Sequence, residues 1–444
     1  MTRVAALVMV AALAAAPSRA ADGAARVAAE AGLGGLSKPG RWTPVRVGID
    51  ATGTDLVGEI RVDWGTARAR RVVTVASGSH KQVEVFIRTP DFRDAIIVRL
   101  FSNGREIASA EAPIRVARPE DAITVCVASA NAWSAAAGCS ATLTPRTLPH
   151  SWRGYDAADN VVWQPEEATG LARDQQTAIT AWQAVRALED AGGSPSVPPV
   201  AAGNPNRVAI AGIAVYLLAI AAAGFALTRS RARSLALYPA IGLLVVLASA
   251  AALAAGRVGP GTDIRVRYRM VVQQLPGATG SFVVLRGVAE FPSFDTFALR
   301  ALRADGAIEP SGAGGGPDLR YDEDGAPLLT GTAGLGAAKT FELEAMTDVQ
   351  VLTAARNGRV VRVSNRSLHT VSDCQFPPGF SKGRVGSLAS SQAVEAEEGD
   401  AVDDRSFTCT LSAPIVEFAE AHRRVTSEGA AVVTLRLPAG NREP

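Results

Sequence analysis

Arg41-Trp42-Thr43-Pro44-Val45-Arg46-Val47-Gly48-Ile49, and then Ile60-Arg61-Val62-Asp63-Trp64, are written in period two. Val45, Val47 and Ile49 alternate with more polar neighbours, and so do Ile60, Val62 and Trp64. Successive side chains of a strand point to opposite faces, so each run makes one apolar face and one wet face. The alternation recurs at Val73 and Val75, at Val83, Val85 and Ile87, and at Ile96, Val98 and Leu100. Turn residues separate the runs, and Asn103-Gly104 suits a type I′ hairpin, which needs positive φ at both positions. Half-buried strands at this spacing predict an antiparallel, immunoglobulin-like β-sandwich over residues 41–118. The small-residue stretch Asp22–Lys38 reads as a lead-in to it.

Working outward, Val208–Thr228 and Ser234–Gly256 carry no charged residue. Each is long enough to cross a bilayer as a helix. The turn between them holds Arg229, Arg231 and Arg233, the charge pattern retained on the cytoplasmic side. A transmembrane helical hairpin is therefore expected at 207–257. The N-terminus has the form of a signal peptide over 1–20: Arg3, an apolar Val4–Ala16, then Ser18-Arg19-Ala20 as a small-x-small cleavage site. Together these predict a two-pass inner-membrane protein. Its N- and C-terminal regions would lie on the periplasmic side, with the lipid bilayer and other membrane or envelope proteins as partners.

Composition bounds the rest. The chain has 444 residues, 45 of them basic and 43 acidic, for a net charge of +2. That balance gives no basic face for nucleic acid. Aromatic residues are 5%, against 42 glycines and 25 prolines, which suits turn-rich β structure. Four cysteines in an exported chain point to two disulfides. We expect Cys126–Cys139 and Cys374–Cys409, because the other connectivities would join the regions flanking the hairpin, which share no sequence reason to touch. In the chain-entropy picture the short loop contributes ~3 kcal/mol and the longer one ~4 kcal/mol. No C-x-x-C is present and the four histidines are scattered, so no metal site is expected.

Between sandwich and hairpin, 119–193 reads as a small α/β segment. Strands are expected at Ala122–Ala128 and Ala158–Trp163. A helix is expected at Leu171–Ala191, with Leu171, Ala178, Ile179, Trp182, Val185 and Leu188 on its apolar face. The proline-rich 194–206 is a linker. The C-terminal β-rich domain, 258–444, has strand candidates at Ile264–Val272, Ser281–Val288, Thr296–Leu302, Thr340–Met346, Arg359–Val363, Phe407–Leu411 and Ala431–Leu437. Asp324-Gly325 reads as a hairpin turn and Ile415–Val425 as an amphipathic helix opened by Pro414. The fold class is thus mainly β, with immunoglobulin-like sandwiches, a small α/β segment and the helical hairpin.

Several stretches resemble a family. Gly40-Arg41-Trp42-Thr43-Pro44-Val45-Arg46-Val47 with Gly58-Glu59-Ile60-Arg61-Val62 is similar to the N-terminal module of uncharacterised bacterial membrane proteins. In their genomes these neighbour MoxR-type ATPases and von Willebrand factor A-domain membrane proteins. Leu148-Pro149-His150-Ser151-Trp152-Arg153-Gly154-Tyr155-Asp156-Ala157-Ala158-Asp159, and Gln175 through Trp182 to Gly192-Gly193, resemble that family's glutamine-amidotransferase-like domain. Asn365-Arg366-Ser367 with Gly386-Ser387-Leu388 is similar to its C-terminal module. The amidotransferase-like segment is truncated here. It has no G-x-C-x-G elbow, since Cys126 sits in Val125-Cys126-Val127, so the resemblance implies no enzymatic role.

The remaining constellations are weak. Gly312–Gly316 lacks the Lys-Ser/Thr of a phosphate loop. Asp322-Glu323-Asp324-Gly325 has Ala326 where a calcium loop needs a ligand, so a turn is preferred. Arg68, Arg70 and Arg71 near Lys81 could meet lipid headgroups, though an exposed strand edge accounts for them. The acidic run Glu395–Asp404 reads as a solvated loop. Cys374 near His369 lacks a base-orienting group for thiol catalysis. The expectation is a non-catalytic scaffold or accessory subunit without cofactor. The alternative is a ligand-sensing or regulatory module using the α/β segment, its ligand unknown.

Overall fold

The computed structural model describes residues 25–88, 95–128, 138–163, 170–190, 197–200, 263–274, 280–292, 295–311, 318–333, 337–399 and 405–438. Within them the chain is mainly β, with one α-helix, Arg173–Asp190.

The alternating residues of the first region do what their period requires. Val45, Val47, Ile49, Ile60, Val62, Trp64, Val73, Val75, Val83, Val85, Ile87, Ile96, Val98 and Leu100 are all buried. They line the space between two sheets. One sheet runs Ala25–Ala31, Trp42–Ala51, His80–Arg88. The other contains Ala67–Val75, Leu56–Trp64, Ala95–Ser102 and Arg105–Pro113. Asn103 and Gly104 have φ of 52° and 75°, the positive pair that the hairpin demands. Ala25–Ala31 is a paired strand, not a lead-in. It lies against Val45–Ala51 in full register.

In the segment after the first region, Thr124–Val127 is the centre of a parallel sheet, flanked by Ala141–Leu143 and Asn160–Trp163. The helix packs on the turn Trp152–Tyr155, Trp182 lying 6.2 Å from the Tyr155 ring, with Ala178, Ile179, Trp182 and Val185 buried. Cys126 and Cys139 are bonded, as are Cys374 and Cys409. The second pair links the adjacent strands Val371–Gln375 and Ser406–Leu411.

Six of the expected C-terminal strands begin within three residues of where alternation places them, while the last begins at Val425, six residues before Ala431. Ile264–Gln274 is the middle of an eight-stranded sheet, antiparallel to Ser281–Phe291 and parallel to the closing strand Val425–Arg436. Across it runs a row of rings and glycines, Phe341, Gly287, Tyr268, Gly429. Each ring lies over a neighbouring glycine, and Phe418 packs edge-on against both Phe341 and Tyr268. This contact explains why Ile415–Val425 is not helical. Val416 and Phe418 are buried two residues apart. The Val416 carbonyl accepts from the Tyr268 hydroxyl at 2.8 Å, and the Glu417 carbonyl from the Leu302 N–H. The backbone bonds of this stretch therefore go to its neighbours, and tertiary partners override a local helical pattern.

The two β regions are not separate. Asp318–Tyr321 pairs antiparallel with Pro327–Ala333 on one side and parallel with Arg68–Arg71 on the other. One eight-stranded sheet thus runs Phe418–Ala419, Asp295–Ala301, Pro327–Ala333, Asp318–Tyr321, Ala67–Val75, Leu56–Trp64, Ala95–Ser102, Arg105–Pro113. The 194–206 linker is also docked where it is described: Val197 is buried and its carbonyl accepts from Arg286.

The two-pass inner-membrane reading is corrected. Among the described residues no helix is long and apolar enough to cross a membrane. The expected signal peptide, the hairpin 207–257 with Arg229, Arg231 and Arg233, and the glycine loop 312–316 lie outside the described residues.

At Gly287 an added Cβ would meet the Phe341 ring at 2.5 Å, and Phe341 is held by Phe418. Gly287→Ala should therefore destabilise by about 1–3 kcal/mol in urea unfolding, the usual cost of overpacking.

Candidate functional site at the seam of the two regions

The motif Leu148–Asp159 sits where the sandwich, the α/β segment and the C-terminal region meet. Trp152–Tyr155 form one 3₁₀ turn. Tyr155 donates its hydroxyl to the Pro149 carbonyl at 2.9 Å, which closes the loop on itself. Gly154 is required there, since a Cβ would lie 2.1 Å from that of Pro149. From this turn three consecutive side chains reach the C-terminal region. Ser151 donates to Asp305 Oδ2 at 2.7 Å, the Trp152 indole to the Asp305 carbonyl at 3.1 Å, and Arg153 to Asp305 Oδ1 at 3.0 Å.

Arg153 is the centre. It is 1% exposed, and its guanidinium also donates to the Tyr321 hydroxyl at 3.1 Å. It lies 4.3 Å from the Phe86 ring centroid. Burial opposes its charge, but Tyr321 and Asp305 more than offset that and hold the pKa above the ordinary value. Desolvation raises the Tyr321 phenol, keeping it neutral. A neutral phenol can accept from Arg153 and donate to the Phe86 carbonyl at 3.3 Å, as it does.

That second bond caps a sheet edge. His80–Arg88 is the last strand of its sheet, and Phe86 stands opposite Pro44. Its outward carbonyls at Glu84 and Phe86 would be open to another strand. Arg71 donates to the first at 2.7 Å and Tyr321 to the second. Arg71 also donates to the Glu323 carbonyl. With only carbonyls as hydrogen-bond partners, its pKa is lowered by desolvation. Beside it Arg88 pairs with Glu344 at 2.8 Å and stacks on Trp42 at 4.3 Å.

The other flank joins the helix to the sandwich. Asp156 accepts from the Trp42 N–H at 2.8 Å and from Arg41, which also holds Glu189. Desolvation dominates and raises the Asp156 pKa despite Arg41. Asp159 accepts from Lys38, from the Ile123 N–H and from Arg186; burial opposes ionisation, but these donors lower its pKa overall. Glu84, raised by desolvation, accepts from the His150 N–H, and His150 pairs with Asp174 at 2.6 Å.

Arg68 pairs with Asp63 and Arg70 with Asp318, so the expected exposed edge is a paired strand. Asp322 and Asp324 hold Arg300, and Glu323 holds Lys81, which makes the acidic turn a clasp between regions. Glu395 faces Arg362, while Glu398 is buried between Arg356 and Arg405; 400–404 lie outside the described residues. Cys374 is disulfide-bonded. Asn365 bonds the carbonyls of His369, Leu388 and Ala389, bringing Asn365–Ser367 onto Leu388. Among the described residues no group of three His, Cys, Asp or Glu is placed to hold a metal. Sequence reasoning missed Arg153 as a site, although the loop of apolar and aromatic residues around one arginine was a signal of burial.

A family described as a domain of unknown function (DUF8726) matches residues 24–115. No curated protein matches. Two solved structures of the yeast delta-COP-I mu-homology domain, one complexed with the Dsl1 WxWxV peptide, are similar over 40% of this chain. They are covered to 98% and 97%, at 8% and 9% identity and TM-scores of 0.20. Likeness this low carries no argument about the chain.

Arg153→Leu should lose about 2–3 kcal/mol in urea unfolding, since charged hydrogen bonds and a desolvated ring contact go together. Limited proteolysis should then cut between the two regions. Asp156→Asn should change the pH dependence. A carboxyl whose folded pKa is raised contributes stability that is full below the unfolded value, near 3.9, and lost as pH rises through the folded one. Wild type should therefore lose ground to Asp156→Asn as the pH of the unfolding experiment rises from about 3.5 towards neutrality.

Proposed function

We propose that the protein is a non-catalytic scaffold or accessory protein, with immunoglobulin-like construction in its β parts, that presents surfaces to partner proteins. One observation carries this reading: the buried charge of Arg153 is consumed by contacts between regions of the same chain. Strongly perturbed groups often mark catalytic clefts, but structural ion networks perturb them too. Here Arg153, Asp156 and Glu84 each spend their hydrogen bonds on a backbone group or a partner side chain across a joint. No nucleic acid, metal or cofactor enters the proposal.

The parallel sheet Ala141–Leu143, Thr124–Val127, Asn160–Trp163 favours a second reading, small-molecule sensing, because such units take ligands at the carboxyl ends of their strands. The resemblance of Leu148–Asp159 to an amidotransferase-like domain points to the same place. Cys126 is bonded to Cys139 there and offers no thiolate.

Thermal unfolding of the purified chain against a metabolite panel separates the two. The scaffold reading expects no compound to raise Tm. A compound at 100 times its Kd would stabilise by ~2.7 kcal/mol, and such a shift would replace scaffold by sensor.

A further inference from the structure

The outward face of the long sheet carries its charges in rows. Reading across neighbouring strands in register, Arg300, Leu328, Arg320, Arg70, Arg61 and Arg99 stand side by side. Five arginines thus share one row about 24 Å long, at about 4.8 Å per strand. Like charges directly opposite each other destabilise a sheet. The row on one side holds Val72, Glu59, Phe101 and Glu106, and the row on the other holds Asp318, Arg68, Asp63, Ile97 and Glu111, with Arg68 paired to Asp63. Glu59 pairs with Arg61, Asp63 with Arg99, and Asp318 with Arg70. The arginines remain accessible: Arg61, Arg99 and Arg320 each keep about a third of their side-chain surface.

The same face concentrates exposed apolar residues. Val57, Val72 and Ile97 are 63%, 42% and 41% exposed, three of the seven large hydrophobics that stand out among the described residues. Phe101 lies under Arg61, whose guanidinium is 3.9 Å from its centroid.

A linear polyanion would meet carboxylates on both sides of the arginines, Glu59 and Glu106 on one and Asp318, Asp63 and Glu111 on the other. A surface with the same banding would not. We infer that this face is a self-association surface, and that its occupant is a second copy of the chain. Two copies facing each other about a two-fold axis parallel to the rows, lying between the arginine row and the Glu59 row, exchange those rows. Arg61 then meets Glu59 of the second copy, Arg99 meets its Phe101, and Arg70 meets its Val72. Each contact occurs twice, as an isologous interface requires. The face measures roughly 24 by 25 Å, or about 600 Å² per copy, below the ~800 Å² of a standard interface, so the dimer is weak and salt-sensitive.

Sedimentation equilibrium of the full chain tests this, and it is independent of the function proposed above: a monomeric scaffold would overturn the dimer alone. At about 50 mM salt the chain should self-associate, and about 500 mM should weaken this about ten-fold. Arg61→Glu and Glu59→Arg should each abolish association, and mixing the two variants should restore it, since each then offers what the other lacks. A single-copy mass at every concentration overturns the inference. So does a dimer indifferent to salt, or a mixture no more associated than either variant alone.

Discussion

The parallel pairing of Asp318–Tyr321 with Arg68–Arg71 places residues about 250 apart in sequence on adjacent strands. It satisfies backbone groups that would otherwise form two open sheet edges, one on each region. The inward residues of the join, Ala69, Leu319 and Tyr321, are buried in the same core as the sandwich strands. Everything at the seam follows from that alignment. Tyr321 reaches the Phe86 carbonyl because its strand lies beside Ala67–Val75, and Arg153 can find Tyr321 and Asp305 together only because both regions are already held.

The seam is polar, and its polarity is costly unless every group is matched. A guanidinium in a low-dielectric site is tolerated when hydrogen bonds and a counter-charge replace its water. Arg153 has Asp305, a phenol and a ring face. Arg71 donates to two carbonyls, and burial lowers its basicity despite the nearby carboxylates of Asp322, Glu84 and Asp324. Such specificity of pairing fixes register: sliding Asp318–Tyr321 by one residue would turn Tyr321 out to solvent and Arg320 into the core.

Two smaller devices stiffen the parts that the seam joins. The ring-and-glycine row around Tyr268 places large side chains beside absent ones, so Phe341 and Tyr268 occupy the space that a Cβ at Gly287 or Gly429 would take. Cys126–Cys139 ties the chain just ahead of Ala141–Leu143 to the central parallel strand, and Cys374–Cys409 links two adjacent strands. The pairing is the one expected from the sequence, although the regions which that expectation kept apart share a sheet.

Side-chain direction in a strand is a local property, so the sequence alone determined which of Val45 to Leu100 face inward, where Asn103-Gly104 turns, and which helix face carries Trp182. Partner choice is not local. The alanine-rich Ala25–Ala31 has too little hydrophobic contrast to declare itself, and becomes a strand only because Val45–Ala51 offers an edge. Val416 and Phe418 carry a pattern compatible with a helix until Tyr268 and Phe341 claim them. Arg68, Arg70 and Arg71 read as a free basic edge because their partners, Asp318 and the Glu84 and Glu323 carbonyls, are contributed from elsewhere in the chain. Whether a charge is solvated or buried depends on what folds over it, and for Arg153 only the tertiary structure decided that.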